Sequence, residues 1–259
     1  MPHPLPKTAL VTGGAIRIGR SIALELARNG IDVAIHYANS AAAAEETLAE
    51  LRTLGVQAVA IPADFNSPVT AAESLIANAR SALGPLDLLV NSAAIFEAAT
   101  LTTTTEANWD RHLDINLKAP FFLTKAFAAQ LKTSMASVIN IVDWRGSVPV
   151  PGHAAYTIAK AALIAQTQLL AQELGPRIRV NGIAPGAILP APNTSQEAFA
   201  ARGARNPLHR IGEPADIARA VLFLLQSPFV TGEILHITGG EHLAPGTHYP
   251  NRMNPVSPD

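Results

Sequence analysis

Short apolar runs alternate with segments of helical period along almost the whole chain, the pattern of a parallel sheet whose strands are joined by crossover helices. Strands are predicted at 8–12, 32–37, 56–61, 86–91, 137–142, 177–183 and 233–237. Helices are predicted at 17–29, from Ser40 as N-cap to about 54, and at 71–83, 154–174 and 215–225. A further long helix is expected over 106–131, bent near Pro120. The fold class that follows is α/β: a single doubly wound domain, with a parallel sheet of about seven strands and helices on both faces. It takes up 1–243. Within it, 185–207 is rich in Pro, Ala and Asn and has a helical period only near 196–202. An irregular insertion of that length at a strand's carboxyl end reads as a substrate lid. The segment 244–259, with four prolines, reads as a tail without regular structure.

Composition narrows the function. Hydrophobic residues make up 48% of the 259 and charged residues 15%, as in a globular protein. No window approaches 18 uninterrupted apolar residues, so no membrane span is expected. The first seven residues lack the apolar core of a signal peptide, and with no cysteine in the chain a cytoplasmic location is expected. A net charge of −1 without a Lys/Arg cluster argues against a nucleic-acid partner. The eight histidines show no ligand spacing, so no metal is expected.

Thr12-Gly-Gly-Ala-Ile-Arg-Ile-Gly19 lies between a strand and a helix, the context of a dinucleotide-binding turn in a Rossmann-like domain. Gly13 and Gly14 let backbone approach a pyrophosphate, Gly19 lets the helix pack on the sheet, and the helix N-terminus offers N–H groups to phosphate. The turn resembles the Thr-Gly-x-x-x-Gly-x-Gly of short-chain dehydrogenases, with Arg17 at the middle glycine. A guanidinium there is expected to reach an adenosine 2′-phosphate. The end of the second strand carries His36, Tyr37, Asn39 and Ser40 in place of the acid that holds an NAD ribose, so NADPH is the expected cofactor.

Tyr156 and Lys160 stand four apart on one helix face, where an ammonium is expected to lower the tyrosine pKa toward neutrality. Taken with Asn91-Ser-Ala-Ala94, Asn116 and Pro185-Gly186, these motifs make 7–243 resemble the short-chain dehydrogenase/reductase family. The resemblance implies a cofactor site of Gly13, Arg17, Ile18, Gly19, His36, Tyr37, Asn39, Ser40, Asp64, Phe65, Asn91, Ala93, Lys160, Pro185, Gly186 and Ile188. Asp64 and Phe65 would flank the adenine. Asn91 and Ala93 would line the adenosine side, and the segment up to Ile188 would border the nicotinamide. It further implies catalytic roles for Tyr156, Lys160 and Asn116, the last holding a water that relays protons to Lys160. Homotetramers built through the two long helices are usual in the family.

The family's catalytic serine stands thirteen residues before the tyrosine, and here that position is Asp143. An ionised carboxylate only accepts hydrogen bonds, so Asp143 suits a substrate presenting N–H groups, or is kept protonated by burial and acts as an acid. Asp143, Tyr156 and Lys160 together resemble the pteridine reductase subgroup. So do Thr-Gly-Gly-x-x-Arg-Ile-Gly and His36-Tyr37…Ser40-Ala41-Ala42, although Asn39 replaces an expected arginine. Phe96 matches an aromatic that stacks a pterin there, giving a substrate site of Phe96, Asp143 and Tyr156. The activity implied is reduction of a pteridine C=N bond by NADPH. The alternatives are a carbonyl reductase of 3-oxoacyl thioesters or sugars, and a non-catalytic NADP(H)-binding sensor or scaffold.

Overall fold

The computed structural model describes residues 5–131, 135–191 and 194–243; the expected tail at 244–259 lies outside them. Along the strands, alternate side chains enter opposite cores, as the two-residue period of a strand requires. Val11, Val33, Ile35 and Val90 join one hydrophobic cluster, while Leu10, Ala34 and Leu89 join the other. A strand buried on both faces needs helices on both, and the chain supplies them.

The strands are β1 (Thr8–Val11), β2 (Asp32–Tyr37), β3 (Ala58–Pro62), β4 (Leu88–Asn91), β5 (Ala136–Ile141), β6 (Ile178–Pro185) and β7 (Ile234–Ile237). They form one sheet in the order β3-β2-β1-β4-β5-β6-β7, with every pairing parallel. Helices α1 (Arg17–Arg28), α2 (Ala41–Thr53) and α3 (Pro68–Leu83) follow the first three strands. After β4 come α4 (Glu106–Leu113) and α5 (Ala119–Gln130), then α6 (Trp144–Ser147), α7 (Ala154–Leu174), α8 (Gln196–Gly203) and α9 (Pro214–Gln226). Residues of α1, α2 and α9 fill one core and those of α3, α5 and α7 the other. Among the described residues no helix is long and apolar enough to cross a membrane.

Two local expectations change. α3 begins at Pro68 rather than 71, because a proline in the first turn has no N–H to leave unpaired. The single helix expected over 106–131 is broken by a π turn at Asp114–Lys118, where the Ala119 N–H donates to the Asp114 carbonyl. Pro120 removes the ordinary bond to the carbonyl four residues back, that of Asn116, and the backbone widens just ahead of it.

One buried cation holds the far edge of the sheet. Arg179 in β6, 8% exposed, donates from Nη1 to the carbonyls of Leu224 (2.9 Å), Ser227 (3.2 Å) and Val230 (3.0 Å). Its Nη2 donates to the Leu225 carbonyl (3.2 Å) and Ser137 Oγ (3.1 Å). A guanidinium thus satisfies the carbonyls that the end of α9 leaves open, where the helix dipole favours a cation. Arg179→Met strips these carbonyls of their donor and should lower stability by about 2–4 kcal/mol. The check is the urea midpoint at unchanged m-value; a midpoint equal to that of the unmutated chain would refute the role.

Candidate active site

The strand order reverses between β1 and β4, and their carboxyl ends form the crevice in which open α/β sheets bind ligands. Thr12 joins the two strands there. Its N–H donates to the Val90 carbonyl (2.9 Å), and its hydroxyl oxygen accepts from the N–H groups of Ser92 (2.9 Å) and Ala93 (3.0 Å). Gly13 follows in the left-handed region at φ +64°, where a Cβ would stand 3.0 Å from the Ala93 Cα. At Gly19 a Cβ would collide with the Gly13 carbonyl oxygen. The loop is bare backbone because nothing larger fits. The first turn of α1 has no acid and no side-chain cap, and Ile18 lies in that turn, half-buried. The donors and the space suit a pyrophosphate.

Arg17 keeps a glycine-like φ of +56°. Its Nη2 donates to the Pro190 carbonyl at 2.8 Å, beyond β6. In the strand order that is the side of β1 opposite to β2, so the expected reach toward an adenosine 2′-phosphate is not the one the guanidinium makes. At the end of β2, Tyr37 is half-buried and Asn39 exposed. Ser40 holds the N-cap position of α2, yet its hydroxyl makes no capping bond, and the first turn has no acid.

His36 and Phe65, expected at the cofactor, lie beneath the loop. His36 is 2% exposed; its Nδ1 accepts from the Gly13 N–H (3.1 Å), which places the proton on Nε2, 3.1 Å from the Ala63 carbonyl. Burial pushes its pKa down to about 4, so the ring is neutral. Phe65 is buried with its ring 4.4 Å from His36, whereas Asp64 is exposed. Asn91 is likewise interior. Its Nδ2 donates to Asn140 Oδ1 (2.8 Å), whose amide donates to Thr167 Oγ1 (2.9 Å). Ala93 stays at the crevice wall, half-buried beside Gly13. Asn116 closes on the backbone of Ile95, accepting its N–H (2.9 Å) and donating to its carbonyl (3.0 Å). The side-chain amide of Asn116 thereby fastens the loop carrying Phe96.

Asp143 follows β5 and caps α6, Oδ1 accepting from the Arg145 N–H at 2.8 Å. Its Oδ2 accepts from the Tyr156 hydroxyl at 2.9 Å. Lys160, one turn along α7, donates to the Ile141 carbonyl at 2.7 Å, with Nζ 5.8 Å from the Tyr156 ring centroid. Burial drives Tyr156 well above 10, and the charge and hydrogen bond of Asp143 add to it. This reverses the expected lowering by Lys160, whose own pKa burial pulls down to about 8. Phe96 meets Tyr156 edge-on at 4.7 Å and stacks on His153 at 4.0 Å and 12°. One face of Phe96 is thus covered by the protein. Burial, then the Arg145 charge, lower His153 to about 4.

At the end of β6, Pro185 and Gly186 are pressed against β7's exit, where a Cβ on Gly186 would stand 2.7 Å from the Thr238 Cα. Ile188 is buried and helps wall a cavity of about 240 Å³ that includes neither Asp143 nor Tyr156. The Ala187 N–H donates to Glu241 Oε2 (2.9 Å), and Glu241 Oε1 accepts from Arg202 Nε of α8 (2.6 Å). Sequence reasoning missed Arg145, His153, Arg202 and Glu241. His153 carried a local signal, three residues before Tyr156; Arg202 and Glu241, 39 residues apart, carried none.

This geometry is that of a nicotinamide-dependent oxidoreductase of Rossmann type, and the comparisons agree. A family profile described as enoyl-(acyl carrier protein) reductase matches residues 14–242. The 3-oxoacyl-[acyl-carrier-protein] reductase FabG of Staphylococcus aureus is 37% identical, over 92% of this chain and 99% of its own. FolM alternative dihydrofolate reductase 1 from Brucella canis, solved with NADP, superposes with a TM-score of 0.88 at 36% identity, covering 92% and 94% of the two chains. A blue fluorescent protein from a metagenomic library, solved with NADPH, superposes at 0.83 with 34% identity, over 90% and 97%. The chain belongs to the short-chain dehydrogenase/reductase family.

His36 supplies a test of the loop's support. Its folded pKa of about 4 lies below the ordinary 6.5, so the unfolded chain binds the proton first as pH falls. Stability attributable to neutral His36 is full above pH 6.5 and is lost progressively down to about 4. Between pH 6.5 and 5 the loss should be about 2 kcal/mol. His36→Asn should flatten that slope in urea melts; equal slopes in the two proteins would show that the imidazole is not held neutral.

Proposed function

We propose that this protein uses NADPH to reduce a C=N bond of a pteridine, a dihydropterin or dihydrofolate-like ring. The observation that carries the reading is the 2.9 Å hydrogen bond from the Tyr156 hydroxyl to Asp143 Oδ2. A carboxylate beside the proton donor favours a ring edge that offers N–H groups over a ketone that offers only an acceptor. The likeness to the FolM structure supports the same substrate class.

In this reading Gly13, Ile18, Gly19 and the N-terminus of α1 take the pyrophosphate. Tyr37, Asn39, Ser40 and the uncapped start of α2 take the 2′-phosphate, an anion at a helix N-terminus. Asp64 and Ala93 line the adenosine side, Lys160 holds the nicotinamide ribose, and Pro185, Gly186 and Ile188 border the nicotinamide. The chemistry NADPH supplies when bound is a hydride for the substrate carbon. Tyr156, whose raised pKa keeps its hydroxyl protonated, gives its Oη proton to the adjacent ring nitrogen. The Lys160 ammonium, 5.8 Å from the Tyr156 ring, offsets the charge left on Oη. Asp143 orients the ring edge, and half-buried Phe96 is the aromatic on which the ring stacks. Residues 185–207 act as the lid. Exposed Phe121 on α5 and Ile158 and Leu169 on α7 support the expected homotetramer through the long helices.

The second reading, a 3-oxoacyl thioester reductase, is favoured by the identity to FabG. The two part at position 143. Asp143→Ser should lower kcat/KM for a dihydropterin by about 10–100-fold and raise it for an activated ketone, since a hydroxyl donates where a carboxylate repels developing negative charge. A dihydropterin rate unchanged by Asp143→Ser, or improvement with both substrates, makes the carbonyl reductase the correct reading. Turnover of any of these substrates rules out a protein that only binds cofactor.

The cofactor assignment has its own test. Ser40→Asp puts an anion where the 2′-phosphate is placed and should weaken NADPH by about tenfold or more while sparing NADH. The measurement is the Kd of each from fluorescence titration. An NADPH Kd indifferent to Ser40→Asp would move the 2′-phosphate elsewhere.

A further inference from the structure

We infer that Arg202, held by Glu241, selects substrates that carry a carboxylate, and is the specificity-determining residue of the site. This rests on the reduction of a pteridine proposed above and names which pteridines are preferred. Arg202 lies in the last turn of α8, which is seated by buried Phe199 and by Gly203, where a Cβ would stand 2.6 Å from Ile211. Its Nε is committed to Glu241 Oε1 at 2.6 Å. Glu241 is fully buried, and its other oxygen accepts the Ala187 N–H at 2.9 Å, two residues past β6. The guanidinium is therefore aimed by a fixed carboxylate tied to the strand end that borders the nicotinamide in the reading above.

Arg202 Nη2 is buried and, among the described residues, has no hydrogen-bond partner. A buried charged donor left without an acceptor is unfavourable unless a ligand meets it, and the planar fork matches a carboxylate. Arg202 is close enough for its charge to act on both Tyr156 and His153, a small pull downward against the burial-driven rise of Tyr156 and a small addition to the fall of His153. Arg145, its guanidinium 5.7 Å over the Phe96 ring, is a second cation whose charge reaches both of those groups. A substrate with an anionic side chain gives Arg202 Nη2 the acceptor it lacks among the described residues; a pterin with a neutral side chain does not.

The test compares dihydrofolate, whose side chain ends in carboxylates, with dihydrobiopterin, whose side chain is neutral. Arg202→Met should lower the ratio of kcat/KM for dihydrofolate over dihydrobiopterin by about 10–100-fold, mainly through KM. Arg202→Lys should restore part of it, because charge returns without the fork. Glu241→Gln should shift the ratio in the same direction by less, and add little to Arg202→Met, as expected of a positioning residue. Quenching of the fluorescence of bound NADPH by folate and by biopterin reads the same preference without turnover. Equal losses on the two pteridines, or a weakened NADPH Kd in Arg202→Met, would show that Arg202 only seats the lid or holds the cofactor. Should the unmutated protein reduce neither pteridine, the proposed reaction fails, and the quenching measurement still decides: identical folate affinity in both proteins overturns the role of Arg202.

Discussion

The crowding at the end of β1 governs the rest of the structure. Gly19 must lie against the Gly13 carbonyl for α1 to dock, and Gly13 must pass beside Ala93 for the loop to cross from β1 toward β4. Thr12 draws the β4 exit in with two accepted N–H bonds, and His36 draws the loop down onto β2 with a third. A neutral imidazole is needed there, since only an unprotonated Nδ1 can accept from Gly13. Three strands are thereby brought to one point, and the N-terminal turn of α1 begins there without a side-chain cap or an acid.

The same low-dielectric interior sets the chemistry two strands away. Burial moves Tyr156 up and Lys160 down, so each is pushed toward its neutral form. The carboxylate of Asp143 is the charge around which both arrange: it raises Lys160 against burial and holds the Tyr156 proton in place. A hydroxyl at 143 would bring no charge to raise Lys160 and would be a weaker acceptor for the Tyr156 proton. A single replacement at the end of β5 therefore changes the electrostatic logic of a Tyr–Lys pair whose spacing is unaltered.

Strands and glycine turn were legible because they are written in local periods. β2 and α7 run over the predicted residues, and Gly13, read as a place where bare backbone is needed, takes a positive φ of +64°. The π turn was not, since Pro120 announces a break but not which way the backbone relaxes. His36, Phe65 and Asn91 stand beside the loop residues in sequence order, but that their side chains turn inward was not legible, since His36 and Asn91 are fixed by partners 27 and 49 residues away. Arg17 illustrates the converse. Its position was legible, its direction was not, because Pro190 approaches only once β6 has been laid into the sheet.

Charge around the site is arranged in the same nonlocal way. Arg145 pairs with Asp143 at 3.5 Å, Arg202 with Glu241 at 2.6 Å, and Lys160 stands over the Tyr156 ring while its ammonium donates to the Ile141 carbonyl. Buried ions are tolerated when paired, and each carboxylate here keeps its cation from being an isolated charge. The Asp143 carboxylate also acts on the Lys160 ammonium, raising its pKa against burial, so one anion after β5 serves two cations and the Tyr156 proton at once.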